Sequence, residues 1–513
     1  LSHSPALLPS SQVRRWIVVL LLVNTLIHLA LGWALGLTAD EAHYALYAAN
    51  PALSYYDHPP LVGWIQWPLV TLNASDGVLR MIPAALWLAT AWLIVQIAVR
   101  LTGLWGAQQA QSDQAALWAV LAFSLCPIPH LLGIALLPDT LLMLFTAATL
   151  VQTLRMLDDA EVRRPQSWLL LGALLGLAGL SKYTAVFVAL PVLLCLLWAH
   201  GWRRLLIPWP WLAVVLAAVL VLPVFVWNAQ HDWLSFRYQL HHGGGSHWQL
   251  SQMGVFILAQ ALLYPLLIWG GWCLLRANRL SNEKAILFRG AKGAVLTVLS
   301  FFVLPFVVLM LLSGGGSGLP HWTAPAWVAL SALAGLGLAA SWAAHRRRII
   351  LTLAGLQGAV CVLLFALMLS AGPPWQSSSE PPDDLNPFTD FHGWEQAGHR
   401  ALELARDHQV KHLAVQNWTL ASRLAWYARP MPVHVLAPGV DQFSFWFGEL
   451  PIGASAVVMD WTQMAYQQPV GPGQFEACQS LESLSVQRAG RRVAGFSFLL
   501  CSNWGGAPSP RRL

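Results

Sequence analysis

Runs of roughly twenty apolar residues recur from residue 16 to residue 371, separated by short loops, and they leave the chain few ways to fold. A helix of that length crosses the ~30 Å hydrocarbon of a bilayer and satisfies its own backbone hydrogen bonds there. Only 10% of the 513 residues are charged while 57% are hydrophobic, whereas a soluble domain carries about 25% charge. The chain therefore reads as an all-α polytopic membrane protein. About eleven spans are expected, near 16–37, 80–100, 115–136, 138–156, 167–181, 183–200, 207–228, 251–275, 294–313, 323–344 and 349–371. The first is too long for the apolar part of a signal peptide and reads as an uncleaved span.

The formal charge of +6 does not point to nucleic acid, because the excess sits in short loops. One set of loops holds Arg14, Arg15, Arg100, Arg155, Arg163, Arg164, Arg203, Arg204, Arg276, Arg279, Lys284, Arg289, Lys292, Arg346, Arg347 and Arg348; the opposite set holds Arg80, Lys182 and Arg237. Cytoplasmic loops are enriched in Lys and Arg, so the N-terminus is expected inside and the C-terminal part outside, in a bacterial inner membrane. Every chemically dense loop then falls on the outer side. No nucleotide pool is expected there, so an activated substrate has to arrive on a lipid.

After Ser370 the composition changes. Residues 1–371 form the expected membrane domain, 372–390 a Pro-, Ser- and Asp-rich linker, and 391–513 a small extramembrane α/β domain. Helical periodicity covers Trp394–His408 and Thr419–Tyr427, and strands are expected at His412–Gln416, Val433–Leu436 and Ala454–Asp460. Cys126, Cys195, Cys273 and Cys361 lie in apolar runs and read as packing residues. Cys478 and Cys501 lie in the polar part, where an oxidising compartment would permit a disulfide.

The outer loops hold the candidate chemistry. Asp40-Glu41 follows the first span directly, and a carboxylate in hydrocarbon costs several kcal/mol, so the pair belongs at the surface or in a wet cavity. Asp40 could act as a general base, ligate a metal or cap the helix expected at Ala42–Ala49; Glu41 reads as its support. Tyr55-Tyr56-Asp57-His58-Pro59-Pro60 follows, its backbone fixed by two prolines. Asp57 suits a divalent cation (Mg or Mn, or Zn where imidazole also ligates), and a charged His58 could contact phosphate. Asp139 follows Pro138 at a helix start and reads as a structural or substrate-contacting acid. Lys182 could bind phosphate or snorkel to the interface. In the loop from His231 to His247, Arg237 offers a bidentate grip on phosphate and His241 and His242 are candidate metal ligands. His321 and Trp322 could contact a sugar or an acceptor, or anchor the interface.

The runs Asp-Glu-Ala-x-Tyr, Tyr-Tyr-Asp-His-Pro-Pro-Leu, Pro-Asp, Ser-Lys-Tyr-Thr and Trp-Asn-x-Gln-His resemble the bacterial branch of the dolichyl-phosphate-mannose–protein mannosyltransferase family, to which the lipid A aminoarabinose transferases are related. The likeness covers about residues 16–345. It implies a GT-C fold and transfer of a sugar from a polyprenyl-phosphate donor to a lipid, glycan or protein acceptor at the outer face. It also implies roles. Asp40 matches the catalytic first-loop acid, with Glu41 beside it, and Asp57 falls at a metal-binding Glu. His58 and His43 fall at a Lys and an Arg that bind donor phosphate, with Tyr56 nearby. Lys182 matches a Lys after the fifth span, and His241 matches a metal-ligating His. Histidine in place of Lys or Arg holds phosphate less firmly at neutral pH unless the imidazolium is stabilised. A transporter or flippase, or a polymerase or ligase of lipid-linked glycans, would share the location but not this loop pattern.

Overall fold

The computed structural model describes residues 8–244, 247–280, 285–316, 318–373, 386–488 and 490–507, without the side chains of 241–244, 277–280 and 285–292. Two compact units emerge. One comprises Leu1–Leu29, Leu53–Val62 and Met81–Val362; the other comprises Ala30–Ala52, Gly63–Arg80 and Leu363–Leu513.

The first unit is helical. Each of the eleven expected apolar segments coincides with a helix or a bent helix pair. Seven helices among the described residues, counted over both units, are long and apolar enough to cross a membrane, or nine if each bent pair is one span. The chain is thus a multi-pass membrane protein. The bends have a local cause. Gln109–Ser124 and Pro127–Ile134 meet at 70°, and Leu250–Leu263 and Pro265–Arg276 at 86°. In both pairs proline opens the second helix, where its missing N–H interrupts the ladder. Ala324–Ala343 is buried along most of its length. Lipid offers no hydrophobic drive between helices, so small residues that let backbones touch decide such packing. Gly337 lies against the backbone of Gly270, where any Cβ would collide.

The second unit contains the α/β part, whose mixed five-stranded sheet runs in the order β2-β1-β3-β5-β4. The strands are β1 (Leu413–Val415), β2 (Val433–Val435), β3 (Ala456–Trp461), β4 (Phe475–Arg488) and β5 (Arg491–Trp504). β1 pairs in parallel with β2 and β3, while β5 runs antiparallel to β3 and β4. Side chains alternate across a strand. Leu413, Val415, Val457, Met459, Phe496 and Phe498 therefore share one core with helices Trp394–Asp407 and Trp418–Tyr427, while Ala414, Val458, Leu499 and Cys501 belong to another. Cys478 and Cys501 are cross-strand neighbours on β4 and β5 and form a disulfide. The sequence pattern had not announced the β4–β5 hairpin, the largest element of the sheet.

Candidate functional site

In the first unit, Asp139 occupies the first turn of Pro138–Arg155 and Lys182 ends Pro165–Ser181. The Lys182 ammonium donates to both Asp139 oxygens, at 2.7 and 2.8 Å. Both residues are buried, so the pair is well shielded from water. His321 Nε2 lies 3.7 Å from Asp139 Oδ2, and the Lys182 ammonium lies 5.3 Å from the Trp322 ring centroid. His58 is near enough to act on Asp139 electrostatically. Four residues singled out from separate loops (His58, Asp139, Lys182 and His321) thus share one constellation, with Trp322 over its cation. An ammonium has three donors, and Asp139 takes two of Lys182's.

The Tyr-Tyr-Asp run is held by a neighbour that sequence reasoning treated as a loop. Residues Leu234–Gly244 form a helix. Its Ser235 hydroxyl donates to the Tyr55 carbonyl at 2.8 Å, its Tyr238 ring packs on Tyr56 at 4.9 Å, and its Gln239 amide donates to the Asp57 carbonyl at 2.5 Å. Residues at i, i+3 and i+4 lie on one face, so one helix face clasps three successive residues. The buried Asn228 side chain caps the arrangement by accepting from the Ser235 N–H. Arg237 is exposed and donates to the Asp232 carbonyl. His241 lies outside the described side chains. Among the described residues no three His, Cys, Asp or Glu side chains gather as a metal would need.

In the second unit, helix Ala39–Ala49 begins at an N-cap supplied by Thr38. The Thr38 hydroxyl accepts from the Glu41 N–H at 3.3 Å, and Glu41 accepts in return from the Thr38 N–H at 3.1 Å. Glu41 also receives Arg80 in a two-pronged pair, at 2.7 and 2.6 Å. Arg80 is fully buried and its remaining N–H groups go to the carbonyls of Gly32, Leu35 and Gly36. Capping and ion pairing with Arg80 therefore fall to Thr38 and Glu41. Asp40 is half-buried in the same first turn, where the helix dipole favours a carboxylate.

His43, one turn on, is buried among Tyr44, Tyr47, Trp418, Phe443 and Trp446, with its Nδ1 3.3 Å from the Ser422 hydroxyl. Such a site packs the ring against five aromatic neighbours. Around the turn before Asp40, the Leu37 N–H donates to the Tyr427 hydroxyl at 3.0 Å and the Ala39 N–H to Asp390 at 3.3 Å. Arg423 donates to the same Asp390. Asp390, Arg423 and Tyr427 carried no sequence signal of their own; they sit in a region with no quoted motif.

The dolichyl-phosphate-mannose–protein mannosyltransferase family pattern matches residues 57–227, a third of the chain that includes Asp57, His58, Asp139 and Lys182. The chain is 25% identical over 263 residues to the lipid A galacturonosyltransferase RgtD of Rhizobium johnstonii, covering 48% of this chain and 52% of that protein. It is 28% identical over 195 residues to the lipopolysaccharide core galacturonosyltransferase RgtA of the same organism, covering 37% of each. The chain thus spans about half, or less, of the curated relatives it matches. Its fold is that of ArnT from Cupriavidus metallidurans in the apo state, with a TM-score of 0.61 at 17% identity over 98% of this chain and 100% of the other. A second ArnT structure, bound to undecaprenyl phosphate, gives 0.58 at 17% identity over 97% and 99%.

Proposed function

We propose that this chain, a GT-C-fold protein related to ArnT and to the dolichyl-phosphate-mannose–protein mannosyltransferases, transfers a sugar from a polyprenyl-phosphate donor to an acceptor hydroxyl on the outer face of a bacterial inner membrane. The basic loops support an N-terminus in the cytoplasm and an α/β part in the periplasm. Lipid A or lipopolysaccharide core is the acceptor favoured by the two galacturonosyltransferase relatives, and a hexuronic acid the sugar to test first.

One observation carries the chemistry. In the capped turn 38–41 Thr38 and Glu41 form the capping box and Glu41 pairs with Arg80, while Asp40 is half-buried in the same first turn, where the helix dipole favours its carboxylate. An acid so placed can accept a proton. The acceptor oxygen attacks the anomeric carbon, the bond from that carbon to the phosphate oxygen breaks with its electron pair leaving on phosphate, and the acceptor proton passes to Asp40. Attack opposite the leaving group inverts the anomeric configuration. The departing phosphate gains a negative charge, which preorganised cations stabilise. Lys182, oriented by Asp139, supplies one; His58 and Arg237 are further candidates, with Tyr56 as a hydroxyl donor. Trp322 and His321 suit a sugar face or an acceptor. A resident divalent ion would draw on Asp57 and His241 and would supply positive charge for the departing phosphate.

The test is mass spectrometry of envelope lipids and glycans from a deletion strain, complemented with the parent chain or with Asp40→Asn. The deletion should lose the mass of one sugar on one class of acceptor. The parent should restore it, and Asp40→Asn should restore less than about 1% of it, as removal of a central catalytic group does, at equal membrane abundance. Full restoration by Asp40→Asn would remove it from the mechanism, and an unchanged envelope profile would remove the transferase role.

A further inference from the structure

We propose that Arg423, in the C-terminal α/β part, is the positioning residue for Asp40: its buried guanidinium braces the acid-bearing turn and holds the Asp40 carboxylate ionised, a role that rests on Asp40 being the base. The geometry is a short relay. Arg423 is 1% exposed, and its guanidinium lies 3.7 Å from the Trp394 ring centroid and 4.9 Å from that of Trp461. It donates to Oδ1 of Asp390, while Oδ2 of Asp390 accepts from the N–H of Ala39, the residue before Asp40. One carboxylate thereby ties the buried cation to the backbone of the catalytic turn.

Neighbours on the same helix reinforce it. Helix Trp418–Tyr427 presents Ser422 to His43 and, one turn beyond Arg423, Tyr427 to the Leu37 N–H. Burial drives the Arg423 pKa down to about 9, and the negative charge of Asp40 is the largest influence opposing it. Attraction is mutual: a cation kept charged by Asp40 keeps Asp40 charged. Arginine suits the task because its planar fork stacks on indole while its edge bonds carboxylate. Other titratable groups of this neighbourhood are Glu41 with Arg80, Asp76 with Tyr427 and Arg429, and His43 with Asp441. Arg423 and Asp390 reach the same turn through the Ala39 N–H.

A merely structural Arg423 would lower activity at every pH alike. A positioning charge moves the pH profile, and in a direction set by its sign. The full-length chain in lipid nanodiscs is assayed for kcat/KM against pH, with the polyprenyl-phosphate lipid fraction of the source envelope as donor and envelope from a deletion strain as acceptor. Arg423→Gln removes a positive charge and should raise the acid limb by about one pH unit or more. Asp390→Asn removes a negative charge while leaving an acceptor for Ala39, and should lower that limb. Arg423→Lys should lose turnover yet leave the limb with the parent. Limbs that coincide with the parent, or shift in the same direction for Arg423→Gln and Asp390→Asn, would overturn the proposal while the transferase activity stands. Should Arg423→Gln not fold, the Asp390→Asn shift alone decides. No transfer by the parent chain would overturn the transferase role itself, and this one with it.

Discussion

A carboxyl group buried in a sheet resists ionisation, and Asp460 on β3 is such a group. Its Oδ2 accepts from the Tyr466 N–H at 3.1 Å, while burial pushes its pKa up to about 6. Unfolded, it would titrate near 3.8. A raised pKa means that the folded state holds its proton more tightly, so the stabilisation is full below about pH 4 and is lost as pH rises through about 6. Asp460→Asn keeps an acceptor for Tyr466 and removes the titration. The stability gap between parent and variant should therefore change by about 2 kcal/mol between pH 4 and pH 7.5, in favour of the variant at the higher pH. Thermal unfolding of the two proteins at both pH values measures it; a gap that does not move with pH would show that Asp460 does not titrate in this range. Asp460 carries no motif, and only the fold reveals that its strand is central and its side chain enclosed.

At the scale of an element, helix Ala39–Ala49 shows two kinds of support with different weights. An N-cap is worth about 1 kcal/mol, whereas removing one partner of a buried ion pair costs about 3–5 kcal/mol because the other is left uncompensated. Glu41→Gln should therefore destabilise the protein several-fold more than Thr38→Ala in a thermal-unfolding comparison; equal effects would mean that Arg80 finds another partner. Element recognition from sequence followed the same logic of strong and weak signals. The apolar segments were legible because hydrocarbon tolerates no other pattern, and the α/β elements from Trp394 to Asp460 were legible from their periodicity. Helix Leu234–Gly244 was not, because its glycines and histidines look like a solvated loop while its contacts to Tyr55, Tyr56 and Asp57 come from 180 residues away. The β4–β5 hairpin was missed because its long strands are mostly polar on one side. Asp40, Asp57, Asp139 and Lys182 could be picked out by their rarity in apolar surroundings; Arg80, Asp390 and Arg423 could not, since only tertiary contact gives them meaning.

At the scale of the whole molecule, cysteine usage divides sharply. Cys126, Cys195, Cys273 and Cys361 are buried free thiols, while Cys478 and Cys501 are joined. Closing a loop of this length contributes about 3 kcal/mol by restricting the unfolded chain. The double variant Cys478→Ala/Cys501→Ala should lose roughly that much in a denaturant titration, and maleimide labelling of unfolded protein from intact cells should find four reactive thiols before reduction and six after. Six thiols without reductant would place the α/β part in a reducing compartment and reverse the orientation proposed above. The contact between Leu37 and Tyr427 has a consequence in time as well as in space, since 390 residues separate donor from acceptor. At about 5–20 residues per second, a ribosome takes roughly 20–80 s to make the partner that this turn requires. Throughout that interval the turn at Leu37 lacks its Tyr427 contact, and a chain truncated before helix Trp418–Tyr427 never acquires it. On the proposal that this turn carries the base, copies that stop short of that helix are expected to reach the membrane without transferring sugar to the lipids around them.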